Sequence, residues 1–133
     1  MQKGYEILFT PAKIGNCEIK NRFIMCPMAS TDMIEWTQKP VGYNPAVHDL
    51  LVNRAKDGVG LIIPGAIGVF SWAGKACLGD HPEAFAGVKE TVEEIHSYGS
   101  KIFFQLTAGL GRNLPLMKAL YEKKRAVETY DGL

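Results

Sequence analysis

The stretch Asn53–Ile63, NRAKDGVGLII, joins the end of a predicted helix to a short buried strand. Gly58 lies just past the last helical turn, where a residue in the left-handed conformation commonly ends a helix. The run Val59–Ile63 (VGLII) is almost continuously apolar, which is typical of a strand buried on both faces of a parallel sheet. Pro64-Gly65 then ends the strand. A helix that leads directly into such a strand predicts an α/β fold.

Further buried strands are predicted on both sides of this stretch. Arg22–Cys26 (RFIMC) is a short apolar run that stops at a proline, and Lys101–Leu106 (KIFFQL) is another. The predicted strands begin about 40 residues apart, and strands that alternate with helices indicate right-handed crossovers and a parallel sheet. The chain is then either a small open α/β domain or a fragment with three of the eight strands of a (β/α)8 barrel. Ahead of them, Ala12–Ile19 alternates imperfectly around Gly15-Asn16, a dipeptide suited to a tight hairpin turn.

Two helices are predicted between the strands. Asn44 can cap the first and Pro45 can take its first helical position. Its predicted inner face consists of Val47, Leu50, Leu51, Arg54 and Ala55. The second helix is expected to open at Asp80 or His81, ahead of Pro82, and to end at Gly99. Its predicted apolar stripe consists of Phe85, Val88, Val92 and Ile95. A further helix is predicted over Leu114–Val127.

Composition excludes several classes of function. The 133 residues include 15 basic and 14 acidic side chains, and a net charge of +1 predicts neither a nucleic-acid partner nor a membrane partner. No apolar run approaches the roughly 20 residues that span a bilayer, and the N-terminus lacks the apolar core of a secretory signal. The widely spaced Cys17, Cys26 and Cys77 indicate neither a disulfide framework nor a metal site. We therefore expect a cytoplasmic protein without bound metal.

Residues at the carboxyl ends of parallel strands form the sites of α/β folds. Here those ends are Pro27-Met28-Ala29, then Gly65, then Gln105. Small residues and free amides suit a flat ligand close to the main chain, and the Gln105 carboxamide can pair with a heterocycle that presents an N–H beside a C=O. A proline that merely ends a strand and a solvated glutamine explain the same residues. The pattern alone leaves both interpretations open.

Three segments in this order resemble the old yellow enzyme family of FMN-dependent NAD(P)H:flavin oxidoreductases. They are Leu8–Met28 (LFTPAKIGNCEIKNRFIMCPM), Asn53–Ile63 and Lys101–Leu106. The chain is most similar to the branch of 2,4-dienoyl-CoA reductases and bile-acid and steroid reductases. The resemblance implies the N-terminal portion of a TIM (β/α)8 barrel, with about three βα units and an N-terminal hairpin. Residues 1–133 would then be a partial FMN-binding domain that stops after the third strand and its loop.

The resemblance also implies a function and its site. In the family, NAD(P)H reduces FMN, which passes a hydride to the β-carbon of an activated alkene. The implied flavin contacts are Pro27, Met28, Ala29, Gly65 and Gln105. The family's proton donor and phosphate-binding loops, and any iron–sulfur cluster, would lie beyond residue 133. No catalytic residue is therefore assigned, and the isolated chain is expected to be inactive.

Two departures from the family pattern limit the transfer of substrate. Ala29 stands where relatives often have threonine or cysteine, and Gln105–Arg112 (QLTAGLGR) lacks the histidine of the usual QLxHxGR stretch. Cys26 borders the flavin position, but we expect it to be a packed strand residue. The alternative hypothesis is a small non-catalytic α/β module that self-associates through its open sheet edges as a homo-oligomer.

Overall fold

The computed structural model describes residues 4–28, 33–35, 41–68 and 81–107. Their elements follow in this order: a 3-10 turn at Glu6–Phe9, β1 (Ala12–Ile14), β2 (Cys17–Ile19), β3 (Ile24–Met25), β4 (Ile34–Glu35), β5 (Gly42–Tyr43), α1 (Pro45–Lys56), β6 (Leu61–Ile62), β7 (Ile67–Gly68), α2 (Ala84–Ser97), β8 (Lys101–Ile102) and β9 (Leu106–Thr107). This order confirms the predicted alternation of strands and helices. The predicted helix at Leu114–Val127 lies outside the described residues.

The N-terminal hairpin forms as predicted. Strands β1 and β2 pair antiparallel, with Ala12 opposite Ile19. Gly15 has a φ of +57°, a conformation that glycine adopts without steric cost. Ile19 is only 2% exposed, so the hairpin is packed onto the rest of the chain rather than projecting from it.

A three-stranded parallel sheet confirms the predicted arrangement, in the order β3-β6-β8. Its regular strands are two residues long, shorter than the predicted runs of five or six. Burial on both faces is correct for the central strand, where Leu61 and Ile62 are almost fully buried, but wrong for β3, where Ile24 is 44% exposed. The central strand has a neighbour on each side, whereas among the described residues each outer strand has one.

Helix α1 has the predicted ends. The Asn44 side chain accepts a hydrogen bond from the Ala46 amide at 2.9 Å, Pro45 is the first residue, and Gly58 follows with a φ of +94°. The predicted inner face is only partly correct. Leu51, Val52 and Ala55 are buried, but Leu50 is 38% exposed and Arg54 is exposed.

Helix α2 begins at Ala84, later than predicted, and Gly99 follows its end with a φ of +72°. Its buried residues are Ala84, Val88, Thr91 and Ile95. Phe85, predicted to face the sheet, is 51% exposed. The helix is rotated toward its small residues because the Gly87 backbone packs directly on β5, which leaves no room there for a large side chain.

The main core lies between the parallel sheet and the two helices, and it includes an antiparallel hairpin that the sequence did not predict. Strands β4 and β5 form this hairpin, with Ile34 opposite Tyr43. Its buried side chains Met33, Val41 and Tyr43 join Ile62 in the core cluster. In the part of the chain that the structure describes, no helix is long and apolar enough to cross a bilayer.

Candidate functional site

The predicted site residues follow three neighbouring parallel strands. Pro27 and Met28 come after β3, Gly65 after β6 and Gln105 after β8. Parallel strands have their carboxyl ends at the same edge of a sheet, so these residues share one edge. Met28 is 63% exposed and Gln105 is exposed, whereas Gly65 is buried. Ala29, the fifth predicted contact, lies outside the described residues.

The segment that carries Gly65 contains a one-residue bulge. Ile62 pairs with Ile102, and Ile67 pairs with Leu106. Four residues, Ile63–Ala66, therefore face the three residues Phe103–Gln105 on the neighbouring strand. An extra residue of this kind interrupts the hydrogen-bond ladder and is common next to active sites.

The bulge is closed by one hydrogen bond and leaves two amides without a partner among the described residues. The Ile67 amide donates to the Gln105 carbonyl oxygen at 2.9 Å. The amide N–H groups of Gly65 and Ala66 donate to no other described residue. Pro64, between them and β6, has no N–H to donate and is fully buried. Backbone N–H groups in a buried segment normally donate to a partner. These two amides can therefore donate hydrogen bonds to acceptor atoms of a ligand.

The described side chains at this edge are uncharged. Met28 and Leu106 are 63% and 62% exposed, and Phe104 is 38% exposed. The Gln105 carboxamide makes no hydrogen bond to another described residue. An apolar surface with a few free amide donors and one carboxamide suits a flat, neutral heterocycle. The residues present therefore fit a flavin ring.

The sequence-based expectation about Cys26 can be checked here. Cys26 is exposed, so the prediction that it is a packed strand residue is wrong. The cause is local, because β3 ends at Met25 and Cys26 already belongs to the segment that leaves the sheet. Among the described residues, no group of three or more His, Cys, Asp or Glu side chains could hold a metal ion.

A polar cluster between the helices was not predicted from the sequence. The His48 ring nitrogen Nδ1 lies 2.8 Å from Thr91 Oγ1, and Nε2 lies 3.3 Å from Glu94 Oε2. Lys56 Nζ lies 3.8 Å from the other oxygen of Glu94. Thr91 is 3% exposed, so the cluster reaches into the helix interface. It joins α1 to α2 and includes none of the predicted site residues.

An open cavity of about 420 Å³ lies at the opposite edge of the sheet. Its lining residues come from the 3-10 turn and from the segments just before β3 and β6: Phe9, Asn21, Phe23, Asp57, Gly58 and Val59. The Asn21 side chain donates to the Gly58 carbonyl at 2.7 Å and accepts from the Phe23 amide at 3.1 Å. The Asn21 side chain thus connects the segment before β3 to the residue that follows α1. None of the predicted site residues lines this cavity.

Comparison with known proteins places the chain among flavin oxidoreductases. The sequence profile of the NADH:flavin oxidoreductase / NADH oxidase family matches residues 7–130. Cinnamate reductase of Clostridium sporogenes is 36% identical over 119 residues, covering 84% of this chain and 17% of the relative. NADH oxidase of Thermoanaerobacter brockii is 39% identical over 103 residues, covering 74% of this chain and 15% of the relative. The chain thus spans about a sixth of the length of these curated relatives.

The same family is found among solved structures. The old yellow enzyme from Trypanosoma cruzi superposes with a TM-score of 0.56 and 22% identity, covering 77% of this chain and 27% of that one. A likeness at this level of identity concerns the fold. It confirms the predicted fold class, the N-terminal portion of a (β/α)8 barrel.

Proposed function

The chain belongs to the NADH:flavin oxidoreductase / NADH oxidase family, and from this premise we propose that it supplies the flavin-ring side of an FMN-dependent oxidoreductase site. The observation that carries the proposal is the shared edge at which unpartnered Gly65 and Ala66 amides lie next to the strand that bears Gln105. A surface of this kind meets the needs of a planar ring with hydrogen-bond acceptors along its rim.

Each residue at this edge has a proposed task. The Gly65 and Ala66 amides donate hydrogen bonds to ring acceptors, and the Gln105 carboxamide both donates and accepts. The exposed Met28 side chain keeps water from the bound ring. Pro27 and Ala29 complete the proposed contacts on the segment after β3. Bound FMN would supply hydride transfer from NADH or NADPH to the substrate.

The proposed substrate is an alkene conjugated to an electron-withdrawing group. Support comes from the name of the relative cinnamate reductase, since cinnamate has a carbon–carbon double bond next to a carboxylate. The described residues at the site edge are uncharged, so anchoring of a carboxylate and delivery of the proton are assigned to other parts of the enzyme. No catalytic residue is assigned among the described residues.

We further propose that residues 1–133 form a partial FMN-binding barrel domain. The described residues provide three parallel strands in one sheet, against the eight of a closed barrel. The phosphate of FMN, the proton donor and any iron–sulfur cluster are assigned to regions outside this chain. A cytoplasmic location stays a prediction, and family membership does not favour the alternative of a non-catalytic module.

The flavin site can be tested on the 133-residue chain by NMR. Lumiflavin, which is the ring system without the ribityl phosphate, isolates the ring contacts. Titration of the 15N-labelled chain is expected to shift the Gly65 and Ala66 amide signals and the Gln105 side-chain signals. The amide signals of residues at the opposite edge, such as Asn21, serve as the internal control, and their chemical shifts should not change. Shifts confined to the opposite edge would contradict the proposal.

The substrate class needs a complete enzyme. In a chimaera, residues 7–130 would replace the matching part of Clostridium sporogenes cinnamate reductase. If the proposal is correct, the chimaera binds FMN and oxidises NADH faster when cinnamate is present. A chimaera that binds FMN but oxidises NADH at the same rate with and without cinnamate would exclude this substrate class.

A further inference from the structure

The bulge between β6 and β7 is tied to the packing of two isoleucines. Ile62 and Ile67 are 0% and 5% exposed, and both belong to the same core cluster. They are five positions apart. On a regular strand, residues an odd number apart face opposite sides of the sheet, so both could not be buried on one side. One extra residue between them removes this conflict.

The neighbouring strand shows where the extra residue lies. Ile62 keeps its partner Ile102, and Ile67 takes Leu106, the residue before the partner that the β6 register would assign to it. The mismatch is confined to the four residues Ile63–Ala66. In this segment the Ile63 amide still donates to Met25 at 2.9 Å and the Ile67 amide donates to Gln105 at 2.9 Å. The unpartnered amides of Gly65 and Ala66 lie between these two bonded positions.

Pro64 and Gly65 are suited to this bulge. Proline has no N–H to lose when the ladder is interrupted, and glycine allows a ligand to approach the backbone closely. Pro64 is fully buried, so its ring also fixes the segment in the interior. The ladder is interrupted at the residues where an unpaired amide donor is useful.

We propose that this bulge positions the flavin-binding amides, and that Ile67 is a positioning residue although it lies outside the contact set. Burial of Ile67 on the same core as Ile62 forces the extra residue into Ile63–Ala66, which keeps the Gly65 and Ala66 amides out of the ladder and available to ring acceptors. The inference rests on the proposed flavin site and adds that the bulge at Ile63–Ala66 makes its backbone donors available.

The first test uses the unmodified chain. Without ligand, the Gly65 and Ala66 amides are expected to exchange with solvent at least about tenfold faster than the bonded amides of Ile63 and Ile67. Saturation with lumiflavin should slow exchange at Gly65 and Ala66 selectively. Equal protection of all four amides in the free chain would overturn the inference, whatever the flavin affinity.

The second test removes the bulge. Ile67→Ser removes the buried apolar side chain that keeps the extra residue in place, and it leaves the chain length unchanged. Deletion of Ala66 leaves three residues on each strand between the paired positions. It also puts Ile67 four positions after Ile62, so that both side chains can face the same side of a regular strand. In either folded variant, the lumiflavin-induced shift of Gly65 should fall at least fivefold. Ile63→Val, which keeps both the residue count and the Ile67 side chain, should respond like the parent chain.

The outcomes separate the inference from the function on which it rests. If the parent chain shows no response to lumiflavin at Gly65, Ala66 or Gln105, the proposed flavin site is wrong and the inference falls with it. If the parent chain responds there and a folded bulge-free variant responds within twofold of it, the flavin site stands and the positioning role is wrong.

Discussion

Gly42 of β5 lies against Gly87 of α2 so closely that a β-carbon added to Gly42 would be 2.9 Å from the carbonyl carbon and oxygen of Gly87. In the other direction, a β-carbon on Gly87 would collide with the carbonyl oxygen of Val41. The antiparallel hairpin after β3 is thereby held on the helix that follows the Gly65 segment. The segment after β3 and the segment after β6 both belong to the proposed site. They are therefore connected by this contact between β5 and α2 as well as by the pairing of their strands in the sheet.

Gly87→Ala is expected to lower the free energy of unfolding by about 1–3 kcal/mol, because the added methyl group meets backbone that cannot move aside. The sign is informative, since alanine at an unconstrained helix position is favoured over glycine by about 1 kcal/mol. Urea unfolding followed by circular dichroism measures the change. The control is the reverse substitution at the exposed neighbour, Ala86→Gly, which should cost about 1 kcal/mol. A Gly87→Ala chain as stable as the parent would contradict the observed packing.

His48→Ala is expected to destabilise the chain by about 1–2 kcal/mol, because it leaves the Thr91 hydroxyl buried without its partner. Thr91→Val removes that hydroxyl and should restore part of the loss in the double variant. A double-mutant cycle in urea therefore gives a coupling of about 1 kcal/mol. His96→Ala, which removes an exposed histidine on α2, is the control. Strict additivity of the two substitutions would show that the His48–Thr91 contact contributes nothing.

Tyr43 predicts a loss of stability at alkaline pH. Burial raises the pKa of its hydroxyl well above the ordinary value. Above about pH 10 the unfolded chain ionises this tyrosine while the folded chain keeps the proton, so the unfolded state binds fewer protons and stability falls as pH rises, by up to about 1.4 kcal/mol per pH unit. Tyr43→Phe should lose less stability than the parent between about pH 8 and about pH 11. Tyr5→Phe, at a 56% exposed position, is the control. Parallel pH profiles for parent and Tyr43→Phe would contradict this prediction.

Gln105→Ala is expected to weaken lumiflavin binding about fivefold, which corresponds to the loss of about 1 kcal/mol of net hydrogen bonding. The fold should be unaffected, because the side chain is exposed and the carbonyl that pairs with Ile67 belongs to the backbone. NMR titration gives the affinity. Asn53→Ala removes an exposed carboxamide from α1 and should leave binding unchanged. Equal affinities for Gln105→Ala and the parent would remove Gln105 from the site.

FMN and lumiflavin are expected to bind residues 1–133 weakly and with affinities within about threefold of each other. Charge-assisted bonds to a phosphate are among the strongest hydrogen bonds, and the proposed contacts of this chain involve the ring alone. The chain should also lack NADH-dependent alkene reduction, since it has no assigned proton donor. Fluorescence titration with both ligands checks the first part. Tight, stoichiometric FMN binding would show that the chain contains a phosphate site of its own.

Much of the local structure was predictable because its causes lie within a few residues. The Asn44-Pro45 start of α1, the left-handed glycines at positions 15, 58 and 99, and the hairpin at Ala12–Ile19 depend on backbone preferences and neighbouring hydrogen bonds. The order of strands and helices then determined a parallel sheet. That order in turn placed Gly65 and Gln105 on one edge, which the structure confirms, while their contact with flavin stays a prediction.

Only the tertiary structure decided which surfaces are buried and how far the strands pair. Phe85 lies outside because Gly87 packs on a hairpin about 45 residues earlier in the chain, a contact that helical periodicity cannot reveal. Similarly, Ile24 is 44% exposed, and among the described residues β3 has one neighbouring strand. The bulge at Ile63–Ala66 follows from packing Ile62 and Ile67 on one core against a strand about 40 residues away. A one-residue change in register reverses every side chain that follows, and register is set by contacts that form only when distant segments meet.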